Sequence, residues 1–229
     1  MFVTQMYIEP IVLLFCNMKW FTKDYIVVSL LICAIVACYI FYKNPQQCNH
    51  VVKYNINYIA EAELKYFETK SKLVTEIQDY MFSVAPTTNL SALEIVDLCQ
   101  KYTVDVKFVL AQAEIESVFG TKGLASKTRS VFNLGAFDNL SYSEIKSQYR
   151  YMHPNASIEP YLKLLNERYL VDKLESDLML SYVDKNGARY ASDEFYEEKL
   201  RNKYQYIKKN TAIDSLEALL IHYAIKCNR

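Results

Sequence analysis

The apolar positions of this chain recur at helical spacing over most of its length. Between residues 54 and 84, Phe67, Val74, Ile77, Met81 and Val84 succeed one another at steps of three, four or seven. That rhythm predicts one long helix, either a stalk or a helix packed on the domain behind it. Pro86 and the polar run Thr87-Thr88-Asn89 end it. Ser91-Ala92-Leu93-Glu94 fits a capping box and opens a helix to about Tyr102. Asp105 can cap the next helix, which carries Phe108, Val109, Ala113 and Phe119 and stops at Gly120. Further helices are expected over 157–170, 172–183, 193–209 and 212–226, the last with an apolar stripe of Ile213, Leu216, Leu220 and Tyr223. Residues 131–152 have turn character and room for a small hairpin.

One segment breaks the amphipathic pattern. Residues 25–42 form an 18-residue run without a charge, YIVVSLLICAIVACYIFY. As a helix it would extend about 27 Å, close to the roughly 30 Å hydrocarbon core of a bilayer. Lys19, Lys23 and Asp24 flank it on one side and Lys43 on the other, and Tyr25, Tyr39 and Tyr42 suit the interface. An uncleaved transmembrane anchor is the expected reading. A lipoprotein signal is the alternative, with Ile35-Val36-Ala37-Cys38 resembling a lipidation site, but the apolar run continues past Cys38. The flanking lysines are balanced and leave the orientation open.

Composition narrows the classes. Lys+Arg and Asp+Glu are both 26, so the basic excess of a general nucleic-acid binder is missing. Only 4 glycines in 229 residues argue for helices over a turn-rich barrel. The six cysteines include no CxxC pair, and His50, His153 and His222 are far apart, so neither a zinc site nor a disulfide framework is expected. No metal or organic cofactor is implied. Three of the four glycines, Gly120, Gly123 and Gly135, lie close together just after the helix that carries Glu114 and Glu116. In so glycine-poor a chain they mark backbone under special demands. Two helical positions apart, Glu114 and Glu116 point about 200° away from each other, whereas Gln112 and Glu116 share a face.

Residues 108–138, FVLAQAEIESVFGTKGLASKTRSVFNLGAFD, resemble the signature of the lysozyme-like glucosaminidases of glycoside hydrolase family 73. Ala111, Gln112, Glu116, Ser117, Gly120, Leu124, Ala125, Phe132 and Gly135 match that pattern. Tyr149-Arg150-Tyr151, Ser157-Ile158-Glu159 with the helix behind it, Arg189-Tyr190-Ala191-Ser192-Asp193 and Tyr196-Glu197-Glu198-Lys199-Leu200 resemble later motifs in the same order. The likeness spans about residues 90–210. Ser130 departs from it, standing where the family turn has an asparagine, and so does the Asn133-Leu134-Gly135 turn.

The resemblance implies a mainly α, lysozyme-like domain with a small hairpin or loop lobe, and the residue pattern places a transmembrane helix and a helical stalk before it. The expected organisation is an N-terminal segment 1–24, an anchor 25–42, a spacer and stalk 43–85 and a glucosaminidase-like domain 86–229. It further implies that Glu116 is the general acid, kept protonated in a partly apolar cleft. Tyr190 matches a tyrosine of the family's cleft. Glu144 is the candidate second carboxylate by position, with Glu159 as runner-up; failing both, the acetamido group of the substrate would assist. Gln112, Phe119, Phe132, Asn133 and Tyr151 are the candidate substrate contacts, and Val118 is a further candidate for the apolar wall. The implied partner is the glycan strand of peptidoglycan, reached by a single-pass membrane protein whose domain faces the wall, with a lipoprotein or a phage virion component as alternatives. A lytic transglycosylase of the same fold and a non-catalytic wall-binding protein are the competing functions.

Overall fold

The computed structural model describes residues 45–135, 141 and 150–227, with the backbone alone for 45–57. The anchor segment 25–42 and Glu144 lie outside the described residues. Among the described residues, no helix is long and apolar enough to cross a membrane. The chain divides into two compact units, Met1–Ile59 and Ala60–Arg229.

Helix α1 spans Pro45–Val84. Its course past Ala60 differs from a free stalk. Leu73, Ile77 and Met81, each four residues after the last, have no exposed surface and belong to the core of the second unit. Phe67, part of the predicted stripe, is instead 65% exposed. The rest of the predicted stripe holds, with Ile77 and Met81 buried and Val74 and Val84 packed against the core, and Thr69 and Tyr80 also turn inward. Tyr80 donates to Glu114, and Lys203 pairs with the same carboxylate at 2.5 Å, which ties α1 to two later helices.

Helix α2 (Ala92–Tyr102) begins as predicted, with the Ser91 side chain accepting from the Glu94 N–H. Helix α3 (Val106–Ser117) is capped by Asp105, which accepts from Lys107 and Phe108 N–H groups. Every residue of α3 from Val106 to Ala113 is buried, so it is the central helix of the domain. Packed on it are α2, α7 (Tyr196–Asn210) and α8 (Ile213–Cys227). The short helices α4 (Ala125–Thr128), α5 (Ile158–Leu164) and α6 (Glu175–Leu178) complete the frame, with a 3-10 turn at Pro154–Ser157 and a π turn at Leu165–Tyr169.

The mainly helical architecture agrees with the lysozyme-like expectation, and among the described residues there is no named strand. One local expectation changes. The helix expected over 172–183 shrinks to α6. Beyond it the chain turns back through an antiparallel bridge between Val183 and Arg189. Asp184, almost fully buried, accepts the N–H groups of Asn186 and Ala188, and Gly187 takes φ +83°. An acid that closes its own turn offers the backbone an alternative to helix. The hairpin expected within 131–152 falls largely on 136–140 and 142–149, outside the described residues. Cys99 is a buried free thiol and Cys227 is also free, so the two do not pair.

Candidate active site

Glu116 sits one residue before the end of α3, and the chain leaves the helix abruptly behind it. Val118, Phe119 and Gly120 take φ of +49°, +55° and +80° in succession. For a β-branched valine that region is unfavourable, and such strain persists only where the surroundings impose it. Ser117 does so: its hydroxyl donates to the Val131 carbonyl at 2.7 Å and accepts the Gly120 N–H at 2.8 Å. A side chain at Gly120 would also crowd Val131, whose Cγ2 lies 3.3 Å from the added carbon. The tight exit brings the turn at Asn133 back against Glu116.

The carboxylate is held from two sides. Tyr196, from the first turn of α7, donates to Oε1 at 2.5 Å. Asn133 Nδ2 donates to Oε2 at 3.0 Å and to the Glu116 backbone carbonyl at 2.8 Å. Asn133 reaches this position in a left-handed conformation, φ +48°. Its turn is closed by Ser130, whose hydroxyl accepts the Leu134 N–H at 3.0 Å. Burial raises the Glu116 pKa above the ordinary carboxylate range, and the two hydrogen bonds, which favour the charged form, offset that only in part.

Beside Glu116 opens a cleft of about 640 Å³. Phe132, Asn133, Leu134, Tyr169, Tyr190 and Tyr196 line it with Glu116, as do Arg168, Arg189 and Asp193. Tyr190 stacks on Tyr182 at 4.6 Å, and its hydroxyl donates to the Phe132 carbonyl at 3.0 Å. Phe132 in turn stacks on Tyr161 at 3.7 Å. Behind these rings, Gln112 Oε1 accepts from Tyr161 at 2.5 Å and from Tyr182 at 2.9 Å. The cleft wall is thus a layered aromatic sheet pinned to α3 by one glutamine.

The structure brings Glu116, Phe132, Asn133 and Tyr190 to one cleft. Gln112 and Phe119, expected as substrate contacts, are instead buried, at 0% and 1% exposure. Gln112 braces the aromatic layer, and Phe119 packs edge-on against Tyr80 of α1, 6.0 Å between centroids. Val118, expected in the apolar wall, forms the left-handed end of α3, and neither it nor Phe119 lines the cleft. Tyr151 is half-buried beside Thr128, whose carbonyl accepts its N–H, and is not among the residues lining the cleft. Glu159 points elsewhere, bound by Lys101 at 2.5 Å and by the Tyr102 hydroxyl, and the Lys101 bond keeps its carboxyl below the ordinary range. Glu114 faces away from Glu116, as the helical angle requires. Tyr196 was hidden in the sequence as one residue of a matching motif, without a sign that its hydroxyl reaches the acid. Arg168 had no sequence signal at all.

A second cavity, about 540 Å³, holds the buried Lys107 beside Asp105, Asp214 and Glu217. Its charges have a structural use. Glu217 accepts the Val106 N–H at 2.9 Å and Glu175 accepts the Asp105 N–H at 3.1 Å, which satisfies the exposed donors at the start of α3. Among the described residues, no group of His, Cys, Asp or Glu is arranged to hold a metal ion.

A helical domain with a carboxyl group beside an aromatic cleft, its pKa raised by burial, is an arrangement that suits a glycoside hydrolase. Residues 92–209 match the glucosaminidase family, described as mannosyl-glycoprotein endo-beta-N-acetylglucosaminidase. The chain belongs to that family and is a glycoside hydrolase. No curated protein and no solved structure matches this chain.

Proposed function

We propose that this glycoside hydrolase cleaves the glycan strand of peptidoglycan as an endo-β-N-acetylglucosaminidase, with Glu116 as general acid. The family supports a peptidoglycan hydrolase. The observation that carries the residue assignment is the setting of Glu116: raised in pKa by burial, hydrogen-bonded on both oxygens, and open to the cleft.

That setting dictates the chemistry. Protonated Glu116 gives its proton to the glycosidic oxygen as the bond to the anomeric carbon breaks, and positive charge spreads over that carbon and the ring oxygen. The Tyr196 hydroxyl and Asn133 amide stabilise the carboxylate left behind, so they act most on the state that proton transfer creates. Tyr190, half-buried, offers an aromatic face to a sugar ring, while Phe132, 2% exposed and stacked on Tyr161, backs the wall from behind. The second carboxyl group is assigned to Glu144 by its place in the chain. Within the described cleft, Asp193 is the other carboxylate, held ionised by Lys199 at 2.5 Å. Residues 25–42 are proposed to anchor the protein in the membrane with the domain facing the wall, on the strength of their uncharged length.

Digestion of purified peptidoglycan by the full chain, with the products identified by mass spectrometry, tests the reading. Reducing N-acetylglucosamine ends are expected, and Glu116→Gln should lower the rate by roughly 10²–10⁴-fold, the usual contribution of a general acid. Anhydromuramic ends would assign a lytic transglycosylase. No cleavage of walls from several bacteria would assign a binding role.

A further inference from the structure

The cleft contains two arginines that the acid chemistry does not use. Arg168 lies on the π turn and Arg189 on the far side of the turn after α6. The fold brings both to the same cleft. The rings of their neighbours Tyr169 and Tyr190 meet at 5.6 Å, and one turn engages both: Arg168 pairs with Asp184 at 2.5 Å inside it, and Arg189 forms its closing bridge. Both side chains line the cleft of Glu116 and stay substantially open, at 47% and 40%.

Each guanidinium is anchored but not used up. Among the described residues, the hydrogen bonds of Arg168 to Asp184 and of Arg189 to Glu197 and the Asp193 carbonyl all run through Nη2. A guanidinium carries five N–H donors in a rigid fork that matches a carboxylate. The salt bridges therefore fix the direction of each fork and leave donors for a ligand. Asp193, the other charged group in this part of the cleft, has its carboxylate occupied by Lys199 and the Phe195 N–H.

The hydroxyls and acetamido carbonyls of a neutral glycan can accept from a guanidinium singly, but a carboxylate matches both its charge and its fork. Peptidoglycan does carry anions, as carboxylates of the stem peptides, or as the lactyl carboxylate where a stem has been removed. We propose that Arg168 and Arg189 form a carboxylate subsite, through which the cleft recognises an acidic substituent of the glycan beside the bond to be cut. The proposal rests on the peptidoglycan reading and adds a specificity determinant to it. Bidentate recognition adds orientation as well as charge, so it places the strand relative to Glu116.

The test compares four substrates with the full chain: intact peptidoglycan, the same material with carboxylates amidated by carbodiimide and ammonia, glycan stripped of stems by an amidase, and a neutral chitooligosaccharide. Amidation should lower kcat/KM at least tenfold without any change to the protein. Arg189→Gln and Arg168→Gln should reduce the preference for untreated over amidated wall by a similar factor. Retention of the effect on stripped glycan assigns the lactyl carboxylate, and its loss assigns the stem. Equal rates on amidated and untreated wall would overturn the subsite. If the wild-type chain cuts none of the substrates, the peptidoglycan-cleavage reading falls separately, and co-sedimentation of Glu116→Gln with the two insoluble walls decides the subsite. Binding at least tenfold weaker on the amidated wall supports it, and equal binding overturns it.

Discussion

At the scale of single residues, the proposed chemistry turns on the setting of Glu116. Burial disfavours its charge, while the Tyr196 hydroxyl and the Asn133 amide favour it, and burial prevails. A general acid works in its protonated form, so activity should fall as pH rises through this elevated pKa. Tyr196→Phe removes a bond that lowers the pKa. The alkaline limb of the pH–rate profile is therefore expected to move upward, by about one unit if the lost bond is worth roughly 1.5 kcal/mol. Below that limb, kcat should drop by roughly one to two powers of ten, because the carboxylate formed on proton transfer loses a donor. A merely structural tyrosine would lower activity at every pH and leave the limb in place. The sequence singles out Glu116 as the candidate because an acid at that spacing from Gln112, Ser117 and Gly120 matches a family pattern. It does not single out Tyr196, because 80 residues separate it from the acid and no local rule links them.

At the scale of elements, the caps were the most readable features. Ser91 and Asp105 act through N–H groups two or three residues away, so sequence alone places them. The role of α1 needed the fold. Its periodicity establishes a helix and most of its inner face, Ile77 and Met81 with Val74 and Val84, but where that face begins depends on what lies opposite: Phe67 proved exposed, while Leu73 joins the core. Ile77→Ala should destabilise the protein by about 2–5 kcal/mol in denaturant unfolding, as removal of a fully buried side chain does. Phe67→Ala, on the open face, should stay within about 0.5 kcal/mol. Equal and small effects would return α1 to the status of a free stalk. The segment 172–183 misled in the opposite way. Its apolar spacing suits a helix, but α6 stops at Leu178, and the chain beyond runs into a turn closed by the Asp184 carboxylate.

For the whole molecule, the boundary of the folding unit is the testable matter. The match to the glucosaminidase family begins at Ala92, yet the compact unit begins at Ala60. A fragment of residues 86–229 would uncover the surfaces that Leu73, Ile77 and Met81 cover. Each such side chain contributes about 1.5–3 kcal/mol, and three together approach the whole stability of an ordinary domain, about 5–15 kcal/mol. Residues 60–229 should therefore unfold as one cooperative transition, while 86–229 should show lost near-ultraviolet dichroism and no sharp melt. The sequence by itself determined the helical class, the caps, the uncharged run at 25–42 and the family motif that contains Glu116, because all of these depend on neighbours within a few residues or on a motif in fixed order. Only the tertiary structure decided that Gln112 and Phe119 are buried, that Tyr196 and Asn133 grip the acid, that α1 completes the core and that Arg168 and Arg189 share the cleft. Each of those facts is a meeting of segments far apart in the chain, and local spacing holds no record of which faces will meet.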